Sequence, residues 1–239
     1  MEEKKRVVTG TSSTDLIFSA YLRNNEDIFP LILSLYVPIG SEIADVTYGK
    51  GVFWKKVRKD DYHLHCSDIK TGIDCRNLPY ADASMDCVVL DPPYMEGFYR
   101  RSRDHLAGHG TFSSFREAYS DGSVSPQREN VPKYHDAVLD MYYAAGREAR
   151  RVLKDKGILI IKCQDEVSAN RQRLTHVEII NEYAGQGFDV EDLFVMIRNN
   201  RPNVSTLVRQ VHARKNHSYF LVFRKTLKTS RPAGHTGRL

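Results

Sequence analysis

Cysteine is scarce in this 239-residue chain: four residues, Cys66, Cys75, Cys87 and Cys163, with no C-x-x-C pair. That spacing argues against a zinc ribbon or a disulfide framework and fits reduced, buried thiols. No metal site is expected. Long apolar runs are missing too. None approaches the roughly 18 residues that a bilayer span requires. The N-terminus, Met-Glu-Glu-Lys-Lys-Arg, leads into polar residues and not into an apolar signal segment. A cytoplasmic protein with no membrane partner is expected. No G-x-x-x-x-G-K-[ST] run occurs, which disfavours a nucleoside-triphosphate loop.

What is present is an ordinary globular mix, 41% hydrophobic and 27% charged, long enough for one α/β domain with a sizeable core. The net charge of +5 suits a polyanionic partner without requiring one. The basic residues are uneven: Arg198, Arg201, Arg209, Arg214, Lys215, Arg224 and Lys225 crowd the last quarter.

The apolar pattern alternates between two periods. Thr11–Thr14 is read as the cap of a short helix through Leu16–Leu22, and Pro30 as the first position of a helix that stops at Pro38-Ile39-Gly40. Glu42–Thr47 and Ile158–Ile161 read as buried strands, Tyr62–Cys66 as a second strand and Met85–Leu90 as an apolar third. A helical stripe runs from Ala137 to Leu153, with Gly157 read as its stop, and another from Leu174 to Tyr183. Val52–Val57 reads as a helix or an extended wall. Phe188–Ile197 and Tyr219–Phe223 read as two closing strands, antiparallel to each other. Strands alternating with helices predict a mostly parallel sheet covered on both faces, with ligands beyond the carboxyl ends of its strands. One domain is expected over residues 1–225, with a lid or recognition insertion at about 95–132 and a basic, disordered tail at 226–239.

Two constellations sit at those strand ends. Asp45-Val46-Thr47-Tyr48-Gly49-Lys50-Gly51 follows the first strand. Its glycines allow a tight turn and close approach to a ligand. Its acidic start suits an ammonium group and has the wrong sign for a pyrophosphate. Asp68, ending the next strand, is placed to accept ribose hydroxyls. Read blandly, the same residues are a strand-to-helix turn and a surface aspartate. The second constellation is more specific. Asp91-Pro92-Pro93-Tyr94 directly follows the apolar strand Met85–Leu90. Two prolines remove two backbone donors and stiffen the loop. An amino group on a base donates two hydrogen bonds. Accepting both, by Asp91 and the Pro92 carbonyl, would localise the nitrogen lone pair and make it a better nucleophile. Tyr94 offers a flat face on which a base held out of its helix could stack.

With these residues the chain resembles the S-adenosylmethionine-dependent amino-methyltransferases that act on DNA, at adenine N6 or cytosine N4. The likeness covers most of residues 27–225 and follows the γ-like motif order. It implies a Rossmann-like class I fold with a seven-stranded, mostly parallel sheet. By resemblance, Asp45, Thr47, Gly49, Gly51, Asp68 and Asp74 bind S-adenosyl-L-methionine, Phe29 and Pro30 flank its methionine part, and Asp91, Pro92, Pro93 and Tyr94 are catalytic. The aspartate version of the tetrapeptide favours adenine in that family. RNA base amino-methylation and cytosine-N4 methylation are the alternatives. The expected partner is double-stranded DNA. With no separate recognition domain in view, target choice falls to residues 95–132, where Arg100, Arg101 and Arg103 are read as phosphate contacts, to a specificity subunit, or to a second copy in a homodimer. Tyr99, Phe112, Phe115 and Tyr119 are read either as base-stacking residues or as a satellite core. His63 and His65 are read as structural, and Trp54 as core.

Overall fold

A computed structural model of the chain describes residues 16–95, 119, 134–168, 171–198 and 210–227. Arg100, Arg101, Arg103, the Thr11–Thr14 cap and most of the expected lid lie outside the described residues, as does the tail beyond residue 227. Nine strands are described: β1 (Ala20–Tyr21), β2 (Glu42–Asp45), β3 (His63–Cys66), β4 (Met85–Leu90), β5 (Leu153–Cys163), β6 (Glu166–Ser168), β7 (Arg171–Arg173), β8 (Phe188–Ile197) and β9 (His217–Lys225). The helices are α1 (Asn25–Tyr36), α2 (His135–Val152) and α3 (Thr175–Gly185). None of them is long and apolar enough to cross a membrane.

Seven strands form one sheet in the order β1-β8-β9-β5-β4-β2-β3. β2, β3, β4 and β5 run parallel, and β9 is antiparallel to both β5 and β8. This is the mostly parallel seven-stranded sheet with an antiparallel closing strand, of Rossmann-like type, that the sequence led us to expect. Strand alternation sorts the side chains onto two faces. Ile43, Cys87, Val89, Ile158, Ile160, Phe220 and Val222 pack under α1. Ala44, Val88, Leu90, Leu159, Ile161, Leu221 and Phe223 pack under α2 and α3. On that second face Gly146 lets the two helices approach, because a Cβ there would lie 2.6 Å from the Tyr183 ring. The Tyr183 hydroxyl in turn donates to the Tyr142 carbonyl at 2.6 Å. At the rim, His135 sits between Glu166 and Glu178, 2.7 and 2.5 Å away, and so ties the start of α2 to β6 and α3.

The chain leaves β2 for β3 on one side, then crosses back to β4 on the other side of β2. The carboxyl ends of β2 and β4 therefore border a crevice at the point where the winding reverses, which is where open α/β sheets bind ligands.

Four local expectations need correction. Leu16–Leu22 holds no helix; Ala20–Tyr21 adds as a short parallel edge strand beside Val195–Met196. Pro30 is not the first helical residue but lies inside α1. The helix starts earlier because the Asp27 carboxylate accepts the Asn24 amide at 3.2 Å, a side-chain cap that serves an otherwise unpaired donor. Gly157 does not stop α2. That helix ends at Val152, and the chain turns straight into β5, with Lys156 at φ 63 absorbing an irregularity in the pairing with β4. Val52–Val57 is neither a regular helix nor an extended wall but a short 3-10 turn over Val52–Lys56.

Candidate active site

The crevice holds a pocket of about 510 Å³, a volume in the range of small-molecule sites. Asp45, Thr47, Tyr48, Gly49 and Lys50 line it from the β2 turn, and Asp68, Ile69 and Lys70 from the end of β3. Asn25, Val52 and Phe53 line it from the α1 side, Asp91, Pro92, Pro93 and Tyr94 from the end of β4, and Tyr119 closes it from beyond.

The β2 turn is held by its own side chains. The Asp45 carboxylate is 3% exposed. It accepts the Trp54 indole N–H at 2.6 Å through Oδ2 and the Thr47 amide at 3.1 Å through Oδ1. Gly49 and Gly51 both take positive φ, 53 and 64, as the turn requires. At Gly51 there is a second reason for glycine: a Cβ would meet the Tyr48 hydroxyl at 2.5 Å, because Tyr48 folds back over the turn. Asp68 accepts the Gly49 amide at 3.1 Å and the Lys70 amide at 3.0 Å, so it joins the turn to the next strand. Burial pushes the Asp45 carboxyl up to about 7, against the pull of the Trp54 and Thr47 hydrogen bonds.

The β4 loop leans on that turn. The Asp91 amide donates to Thr47 Oγ1 at 2.6 Å, and the Tyr94 hydroxyl donates to Asp91 Oδ1 at 2.6 Å. Burial raises the Asp91 carboxyl above its usual range, while Lys162, the Tyr94 hydrogen bond and Arg198 draw it down. Asp45 and Asp91 thus stand on one face of the sheet, at the ends of adjacent strands, with Thr47 between them.

Four expected site residues do not line the pocket, and the first is Gly51, which Tyr48 covers. Phe29 is fully buried and packs against Phe53, Trp54 and Phe220, with centroids 5.0, 5.0 and 6.3 Å away. It backs the pocket wall without facing the pocket; from the same helix it is Asn25 that does so. Pro30, next to it, does not line the pocket either. Asp74 is bound to Arg76, with Nε and Nη2 donating at 3.0 and 2.7 Å. Arg76 also lies 5.5 Å above the Tyr119 ring, so Asp74 reaches the pocket through these two side chains. Tyr119, of the candidate stacking residues, is described and both packs on the core and lines the pocket. His65 is paired with Glu42 at 2.6 Å, as a structural histidine would be.

Sequence reasoning missed two participants. Trp54 fills space, as read, but its indole also holds Asp45. Lys162, on β5, is 1% exposed and was given no role. The signal was there: it is the one charge in the apolar run Ile158-Leu159-Ile160-Ile161-Lys162-Cys163.

Comparison with known families and structures bears on this geometry. A family model described as DNA methylase matches residues 85–236, a span that opens at the first residue of β4 and includes Asp91–Tyr94 and Lys162. No curated protein matches the chain. Among solved structures, the chain is similar to TTHA0409 from Thermus thermophilus, assigned as a DNA modification methylase. Identity is 20%, 67% of this chain and 55% of that one are covered, and the TM-score is 0.39. It is also similar to TrmN from Thermus thermophilus, at 13% identity over 85% of this chain and 50% of that one, TM-score 0.47. A third likeness is to a protein of Galdieria sulphuraria assigned as a sarcosine dimethylglycine methyltransferase, at 11% identity over 84% and 85%, TM-score 0.48. The chain spans about half the length of TTHA0409. At these identities the likenesses concern backbone shape, and no chemistry is taken from them.

Proposed function

The chain belongs to the DNA methylase family, and from that premise we propose that it moves a methyl group from S-adenosyl-L-methionine to the exocyclic amino nitrogen of a DNA base, N6 of an adenine turned out of the duplex. The observation that carries the reading is the meeting of Asp91-Pro92-Pro93-Tyr94 with the Asp45 turn in one pocket.

The donor set fits the cofactor. S-adenosyl-L-methionine, when bound, supplies a methyl group on a sulfonium that departs as a neutral thioether. Asp45 and Asp68 provide negative charge for its cationic part and acceptors for its ribose, and Gly49 keeps that side of the pocket open. The chemistry left to the protein is small. Asp91 and the Pro92 carbonyl accept the two amino hydrogens and concentrate the nitrogen lone pair. The new N–C bond forms from that lone pair, and the nitrogen then releases one proton to Asp91 or to water. Tyr94 orients the base by stacking. Positioning and electrostatics carry the acceleration, with no covalent enzyme intermediate.

The test is methylation of genomic DNA by the purified chain with methyl-labelled S-adenosyl-L-methionine, followed by nucleoside mass spectrometry. N6-methyladenine in the digest is the expected product. N4-methylcytosine would move the acceptor within the family, and label found only in RNA would replace the substrate class.

A further inference from the structure

The strand register places an unassigned side chain beside Asp91. β4 and β5 pair in parallel with Leu90 opposite Ile161. Asp91 and Lys162 are the residues that follow that last pair. Both follow residues of the α1-facing set, Val89 on β4 and Ile160 on β5, by two positions, so both project to that same face. The backbone of Lys162 is pinned on both sides: Phe220 of β9 pairs with it, and the Tyr142 hydroxyl donates to its carbonyl at 2.9 Å.

The ammonium is enclosed rather than solvated. It donates to Asn25 Oδ1, a pocket-lining group, and lies 3.5 Å from Met196 Sδ. It stands 4.3 Å from the centre of the Phe220 ring and 5.9 Å from that of Phe53. Burial above all drives the lysine down to about 8, against the attraction of Asp91. An aromatic box stabilises a cation, but a polar amide and a thioether would cost far less to bury without one. A lysine in this place calls for an opposite charge; Asp91 supplies it across the pocket floor as a through-space attraction, without an ion-pair contact within 4 Å. The other charged or titratable groups near Asp91 are Asp45 from β2, Tyr94 on its own loop, Tyr142 from α2, Cys163 from β5 and Arg198 after β8. Only Lys162 and Arg198 among these are positive.

We propose that Lys162 is a positioning residue for methyl transfer: from β5 its buried ammonium holds Asp91 as a carboxylate, so that Asp91 accepts from the base amino group instead of donating to it. The proposal rests on the amino-methylation reading above. It carries a second consequence. The sulfonium has the same sign as Lys162, so the lysine does nothing for cofactor affinity. Its contribution is confined to the acceptor side.

Lys162→Met keeps the side-chain volume, Lys162→Gln keeps a polar contact for Asn25, and Lys162→Arg keeps the charge. In Lys162→Met and Lys162→Gln, methyl transfer to DNA at neutral pH should fall on the order of 10- to 100-fold, with the acidic limb of the rate–pH profile moved up by about one to two units, a tenfold change per unit. Raising the pH should restore much of the lost rate. Lys162→Arg should keep the wild-type profile. S-adenosyl-L-methionine should bind the charge-removing variants at least as tightly as wild type by calorimetry, whereas general damage to the pocket would weaken it. A uniform loss of rate with an unmoved profile overturns the proposal. A carboxyl ¹³C titration of Asp91 needs no activity and no variant: a wild-type midpoint above about pH 7 also overturns it. If DNA is not methylated at all, the same titration repeated on Lys162→Met still decides the role of the lysine, an Asp91 midpoint that fails to rise overturning it, while the substrate reading fails separately.

Discussion

Asp45 and Asp91 end neighbouring strands on the same face of the sheet, yet their surroundings differ in kind. Asp45 is locked. One oxygen is held by a tryptophan indole and the other by a backbone amide, and both donors belong to the turn that the carboxylate itself helps to shape. Asp91 is held by a backbone bond to Thr47 and by the hydroxyl of Tyr94, a side chain that can swing about its own torsions. On the proposed function, the cofactor side would be assembled in advance and the acceptor side built to change partners. A base amino group entering the pocket would compete with Tyr94 for the same Asp91 oxygen. Once displaced, the ring would be released to stack. The difference would then separate two tasks of one pocket, permanent recognition of one ligand and transient capture of another.

The strongest way to break this contrast is Asp91→Ala. Transfer of labelled methyl to DNA should fall by about 10²–10³ or more, the scale of losing a key electrostatic contact, while calorimetric cofactor affinity changes little. Near-normal turnover would remove Asp91 from the chemistry. Next comes pH. The Asp45 carboxyl, pushed up to about 7 by burial, binds a cationic ligand only when ionised. Affinity for S-adenosyl-L-methionine should therefore drop about tenfold per unit as pH falls below 7 and level off above it. The sign for folding is opposite: a carboxyl raised in the folded state stabilises at acid pH, and that contribution is lost as pH rises through the window from about 4 to 7. The unliganded protein should melt lower across that window, and cofactor should restore the loss. Trp54→Phe removes a donor to Asp45 and should weaken binding at neutral pH roughly tenfold, the scale of one hydrogen bond to a charged group.

Thr47→Val probes the join between the halves. It strands the Asp91 amide, a cost of about 1–3 kcal/mol for an unsatisfied buried donor. It should lower turnover more than cofactor affinity, and a double-mutant cycle with Tyr94→Phe should show coupling. The smallest effect belongs to Tyr94→Phe alone. The stacking face survives and the competing hydroxyl is gone, so turnover should stay within a few-fold of wild type and KM for DNA should not rise. A large loss would mean that the hydroxyl itself takes part.

The β2 turn and the β4 loop, as backbone features, were legible in the sequence, for physical reasons. Cys87–Leu90 is a continuous apolar run stopped by Asp91 and two prolines, a pattern that a buried strand satisfies. The antiparallel β8 and β9 announced themselves by length and aromatic content. What failed was local. The start of α1 was hidden because Pro30 looked like a first-turn residue, when the Asn24–Asp27 cap had already opened the helix one turn earlier. Gly157 looked like a helix stop, but α2 ends at Val152 with no glycine, because β5 takes over the chain at once. The stretch before Leu22 has helical composition, yet pairing with β8 claims Ala20 and Tyr21, a choice that only the tertiary partner makes. Phe29 was placed at the cofactor by resemblance, and its complete burial puts it behind Phe53. Lys162 lay in plain sight, but its meaning depends on which face of β5 it occupies, and that is fixed only by the register with β4.

Trp54 is the sole tryptophan in the chain, and its indole N–H is bonded to Asp45 beside the Phe29 ring. The protein therefore carries its own optical gauge. Its ultraviolet emission comes from one ring, in contact with the very carboxylate that a cationic ligand would neutralise. Titration of Asp45 and filling of the pocket should each register as a change in intensity or wavelength, with no label and no background from a second indole.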